Sequence, residues 1–83
     1  MEIQSNNRWA EKVQPILAEA FQIPTSEVTP ELAFGDLPQW DSMGHMELMI
    51  LLEERFGIEI NADTIAELVS LPAICEHLSR REA

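Results

Sequence analysis

Basic residues are scarce in this chain. Lys and Arg together number 5 against 15 acids over 83 residues, for a net charge of −10. Such a balance argues against nucleic acid, whose phosphates would repel it. Cysteine is nearly absent. A lone Cys75 excludes an internal disulfide framework and a cysteine-rich zinc site. One thiol without cross-links fits a reducing cytoplasm. His45 and His77 are too far apart in the chain to suggest a metal site, and none is expected. Long apolar runs are missing as well. The longest, Leu48 to Leu52, is far too short to span a membrane. The start, Met1-Glu2-Ile3-Gln4-Ser5, has neither the basic residues nor the apolar stretch of a signal peptide. A chain this short is expected to form one domain, residues 1–83, with a thin core and little room for an internal catalytic cleft.

The acids are unevenly spread. Residues 36–67 carry eight of them (Asp36, Asp41, Glu47, Glu53, Glu54, Glu59, Asp63 and Glu67) and one base, Arg55. Their balance is −7, against −3 for residues 1–35 and zero for residues 68–83. Such a face can simply keep a small protein in solution, or it can dock basic partners.

Hydrophobic spacing predicts an all-α chain of four helices. In the first, about Asn7 to Phe21, Trp9, Val13, Ile16, Leu17, Ala20 and Phe21 share one face. Asn6 or Asn7 is placed to cap it, and Pro15 is expected to kink it or fray its first turn. Residues 22–41 read as a long loop, because Pro24, Pro30, Gly35 and Pro38 interrupt any period. Its apolar side chains (Ile23, Val28, Leu32, Phe34, Leu37, Trp40) call for packing on the helices. A long loop of this kind directs attention to its end, since such loops are often functional. A second helix is expected from Ser42 to Phe56, with Asp41 at its start and Gly57 at its stop. Ile58-Glu59-Ile60 is a short extended link. A small third helix is expected from Asp63 to Val69 with Ile65 and Leu68 inward. The last follows a Ser70 cap, with Pro72 in its first turn. Its stripe is Leu71, Ile74, Cys75 and Leu78. Cys75, lying on that stripe, reads as a small core residue.

The second helix is apolar on two sides. Leu48, Met49, Leu52 and Phe56 form a core arc. Met43, Met46 and Ile50 fall opposite, flanked by Glu47 and Glu54. Either the 22–41 loop covers this second arc or a partner does. An apolar strip ringed by carboxylates suits docking, and methionine suits a surface that meets several partners.

The run Trp40-Asp41-Ser42-Met43-Gly44-His45-Met46-Glu47-Leu48 resembles the modification site of acyl carrier proteins, whose signature is Asp-Ser-Leu at the end of a long loop. The run Leu52 to Ile60 resembles the same family's second-helix ending and following link. The likeness covers roughly residues 7–80. It implies a four-helix bundle with a long loop between the first and second helices and a short third helix. It also implies a 4′-phosphopantetheine arm on Ser42, donated by coenzyme A and installed by a separate phosphopantetheinyl transferase with magnesium. Asp41 would orient that transferase and its metal. Met43, Met46, Glu47, Ile50, Glu53 and Glu54 are the candidate docking residues. Further partners implied are an acyl-loading ligase or acyltransferase, and condensing or transferring enzymes with basic patches.

Met43 stands where the family has Leu, and Trp40 where a small residue is frequent. Trp40 would either shield the first atoms of the cargo or anchor the loop in the core. Gly44 weakens the first helical turn. His45 falls on the inward arc of the second helix, close to Ser42. It either lines the mouth of the interhelical space or, on the preferred reading, is a half-exposed polar residue at a helix end, without a catalytic role. The expectation is a cytoplasmic, monomeric carrier of acyl groups of the fatty-acid or polyketide type, not an enzyme. No nucleophile–base pair, metal set or phosphate loop is visible in the sequence. Two alternatives stand beside it: a carrier of amino acids or other small acids, and an unmodified acidic helical interaction module.

Overall fold

A computed structural model describes residues 5–82, with side chains from Arg8 to Arg81. The helices are α1 (Ser5–Phe21), α2 (Ser42–Phe56), α3 (Ala62–Glu67) and α4 (Leu71–Glu82). A short 3₁₀ turn at Thr25–Glu27 lies in the connection between α1 and α2. Among the described residues there is no β-strand, only an isolated bridge between Ala33 and Ser70. The acyl-carrier-like four-helix bundle expected from the sequence is the architecture found.

The core is built from α1, α2 and α4. Val13, Leu17, Leu48, Met49, Leu52, Leu71, Ile74 and Cys75 are buried in it. Burial pushes the Cys75 thiol up to about 11, because desolvation disfavours a thiolate; the residue is packing material. The two aromatic contacts that tie the ends together are Trp9 against Phe56, at 5.9 Å, and Phe21 against Trp40, at 5.1 Å.

Two expectations are corrected, the start of α1 and the bounds of α3. Helix α1 already begins at Ser5, so Asn6 and Asn7 lie within it rather than capping it; their side chains lie outside the described residues. It also runs without interruption through Pro15. Pro15 and Glu11 are both exposed, so water can bond the carbonyl that the proline leaves free. Helix α3 is shorter and earlier than Asp63–Val69. Asn61 caps it: its side chain accepts from the Thr64 amide at 3.0 Å, while Thr64 Oγ1 accepts from the Asn61 amide at 2.9 Å. This reciprocal box fixes the helix start. Leu68 ends the helix, buried as expected, while Ile65 is half-buried.

Residues 22–41 do pack inward, except at Phe34, which is 44% exposed. Val28, Leu32 and Trp40 are buried, and Ile23 and Leu37 are partly so. The segment is also sewn to the α3–α4 link. The Phe34 amide donates to the Val69 carbonyl, and the Leu71 amide to the Leu32 carbonyl, both at 2.8 Å. These bonds hold the loop end where α2 begins.

Candidate functional site at the start of the second helix

Helix α2 spans Ser42–Phe56, the range expected. Asp41 is in extended conformation, and its Oδ1 accepts from the Gly44 amide at 2.9 Å. At the other end Gly57 adopts φ 70° and stops the helix. Asp41 thus acts as the N-cap. Its carboxylate is committed to the backbone while it remains exposed.

Ser42 is the first helical residue and is exposed. Amides in the first turn have no carbonyl one turn earlier to bond. Asp41 satisfies that of Gly44, which leaves those of Ser42 and Met43. An anionic group attached to the Ser42 hydroxyl would sit at the positive end of the helix, beside these donors. The residues present therefore fit a phosphodiester on Ser42 without rearrangement.

Gly44 has a packing role that its helix propensity alone did not reveal. A Cβ at this position would collide with the Gln39 carbonyl oxygen. The turn preceding Ser42 crosses directly over the first turn of α2, and only glycine admits that approach.

Behind Ser42 lie Trp40 and His45. Trp40 is fully buried, so it is the loop anchor and not a shield over the cargo. His45 is 5% exposed, which corrects the expectation of a half-exposed residue. The Trp40 indole Nε1 donates to His45 Nδ1 at 3.0 Å. His45 Nε2 lies 2.9 Å from the Ile65 carbonyl of α3. Phe34 packs edge-on against the imidazole, with centroids 5.5 Å apart. In sequence the only hint was His45's place on the inward arc of α2; the partners come from elements that are separate in the chain.

The second arc of α2 is not covered by the loop. Met43 is 77%, Met46 42% and Ile50 50% exposed. Glu47, Glu53 and Glu54 are exposed around them. Between α1 and α2 lies an open cleft of about 270 Å³, lined by Glu19, Ala20, Glu47, Ile50, Leu51 and Glu54. Arg55 donates to both oxygens of Glu19, at 2.8 and 3.0 Å. The one base of the acidic segment is thereby already engaged. Among the described residues no three His, Cys, Asp or Glu side chains group as metal ligands.

These features define a small helical bundle with an exposed serine at a capped helix start, and comparison with known proteins gives the family. A model of the phosphopantetheine attachment site matches residues 11–78. An acyl carrier protein of Thermosynechococcus vestitus is 30% identical over 73 residues, covering 88% of this chain and 90% of that protein. The chain belongs to the acyl carrier protein family, and its cofactor is a covalently attached 4′-phosphopantetheine.

Proposed function

We propose that Ser42 bears the arm and that the protein holds acyl groups on it for a series of biosynthetic enzymes. The observation that carries this reading is an exposed serine hydroxyl at the first position of α2, capped by Asp41, within the matched residues 11–78. When bound, the arm supplies a terminal thiol that carries an acyl group as a thioester. Ser42 Oγ forms the new bond to the pantetheine-side phosphorus of coenzyme A. The pyrophosphate linkage breaks, adenosine bisphosphate leaves, and the hydroxyl proton goes to a base of the transferase. Asp41 keeps the first turn intact during that attack and leaves its second oxygen toward solvent for the transferase or its metal.

Family membership implies a phosphopantetheinyl transferase and acyl-handling enzymes as partners. Met43, Met46 and Ile50 offer them apolar contact. Glu47, Glu53 and Glu54 supply the charge that steers basic patches into place. The protein acts as a monomer of one domain, carrying cargo rather than transforming it.

The test is intact mass after incubation with coenzyme A, magnesium and a broad-specificity phosphopantetheinyl transferase. One phosphopantetheine should be added. Ser42→Ala should abolish the gain and keep the helical circular dichroism. A mass gain that survives in Ser42→Ala removes Ser42 as the attachment point.

A further inference from the structure

We propose that His45 is a positioning residue for Ser42, holding the first turn of α2 in register with both the preceding loop and α3. The inference rests on the reading that Ser42 carries the arm. Indole nitrogen can only donate. The bond from Trp40 Nε1 therefore requires His45 Nδ1 to be an unprotonated acceptor. The proton of the neutral ring is then on Nε2, where it is donated to the Ile65 carbonyl. One buried ring, locked in one tautomer, bridges three separate parts of the chain.

The placement of this bridge is what gives it consequence. His45 follows Ser42 by less than one helical turn, so the two share the same short stretch of backbone. Trp40, its first partner, is fully buried and packs on Phe21 of α1. Ile65, its second, belongs to α3, a helix outside the close pairings of α1 with α4 and with α2. The His45–Ile65 bond is thus a specific polar tie where broad helix packing is slight. The turn it steadies is intrinsically weak, because Gly44 lies in it. Asp41 holds only the local backbone of that turn. His45 fixes where the turn sits relative to the bundle, and so where the Ser42 hydroxyl is presented to the transferase.

Both ring nitrogens can be removed separately. His45→Asn retains an acceptor near the Nδ1 position and gives up the tie to α3. His45→Gln retains a donor near the Nε2 position and gives up the tie to Trp40. His45→Phe keeps the bulk and loses both. Loading by the transferase is measured with each as substrate, at a temperature where circular dichroism shows it folded. Wild-type imidazole nitrogen shifts should report the Nε2–H tautomer. His45→Phe should lower kcat by about tenfold with KM changed less than about twofold, the mark of misplacement rather than lost docking. His45→Asn and His45→Gln should fall between. If His45→Phe does not fold, those two variants carry the test. The inference is overturned if every folded variant loads at the wild-type kcat, or if the ring is found as the Nδ1–H tautomer. Loading of the wild-type protein at a residue other than Ser42 also overturns it, but by removing the Ser42 reading itself, a separable result.

Discussion

A glycine, a tryptophan and a histidine surround the start of α2, and each works through a contact the chain makes with itself. Gly44 is the simplest case. Helix propensity alone says that Gly44→Ala should stabilise α2 by about 1 kcal/mol. The structure says the opposite, because the added Cβ meets the Gln39 carbonyl, a backbone atom that cannot swing aside as a side chain can. Overpacking of this kind costs about 1–3 kcal/mol, so the steric effect should win. Urea melts of Gly44→Ala should show a lower midpoint at an unchanged slope; a raised midpoint would mean that the crossing of loop and helix relaxes freely. The placement of Asp41 as N-cap and Ser42 as first residue of α2 was legible in the sequence because they sit in one short motif at a helix start. The contacts of Gly44, Trp40 and His45 were not. Their partners Gln39, Phe21 and Ile65 are set by how the elements meet, and residue spacing carries no record of that.

At the scale of the element, α2 was the best-read part of the chain. Asp41 and Gly57 mark its ends, and its apolar residues separate into two arcs. Helix α3 was read less well, since its start depends on an Asn61–Thr64 box in which Thr replaces the more familiar Glu or Gln. The loop was read as apolar and packed, but not as bonded to the α3–α4 link through Phe34 and Leu71. Pairing of backbone across such a sequence separation leaves no periodic trace. The two arcs of α2 give an internal control. Leu52 is fully buried, while Ile50 is half exposed beside the acidic cleft. Leu52→Ala should cost about 2–4 kcal/mol, a large part of a small protein's stability. Ile50→Ala should cost less than about 1 kcal/mol. Loading kinetics should show the reverse order, with Ile50→Ala folded yet a poor substrate. Equal, large losses of stability would place Ile50 inside the core and leave α2 without its docking strip.

Across the whole molecule, the excess of negative charge governs how stability responds to the solvent. Eight of the fifteen acids lie in residues 36–67, with Arg55 as the only base there. The ion pairs do little to relieve them. Arg55 reaches out of the segment to Glu19, and Glu67 is held by Arg80 at 2.6 Å and by His77 at 3.3 Å. Glu47, Glu53, Glu54, Glu59 and Asp63 remain exposed on α2, α3 and the link between them. Their mutual repulsion opposes the folded state, in which they are held close, more than the unfolded one. Added salt screens exposed charges over about 8–10 Å at physiological ionic strength. It also weakens the Arg55–Glu19 and Arg80–Glu67 pairs, but exposed pairs contribute only about 0–1 kcal/mol. Relief of repulsion should therefore win, and the melting temperature should rise with salt. A gain of about 1 kcal/mol corresponds to a rise of about 4–8 °C in a protein of this size. Magnesium and calcium should act more strongly than sodium at equal ionic strength, as divalent ions gathered by a diffuse acidic face. Thermal melts across sodium, magnesium and calcium chloride measure this directly. A melting temperature that falls with salt would show that the ion pairs outweigh the repulsion. Calorimetry that found tight, stoichiometric uptake of one ion would show instead that some of these carboxylates converge into a ligand set, and the diffuse account of the acidic face would fail.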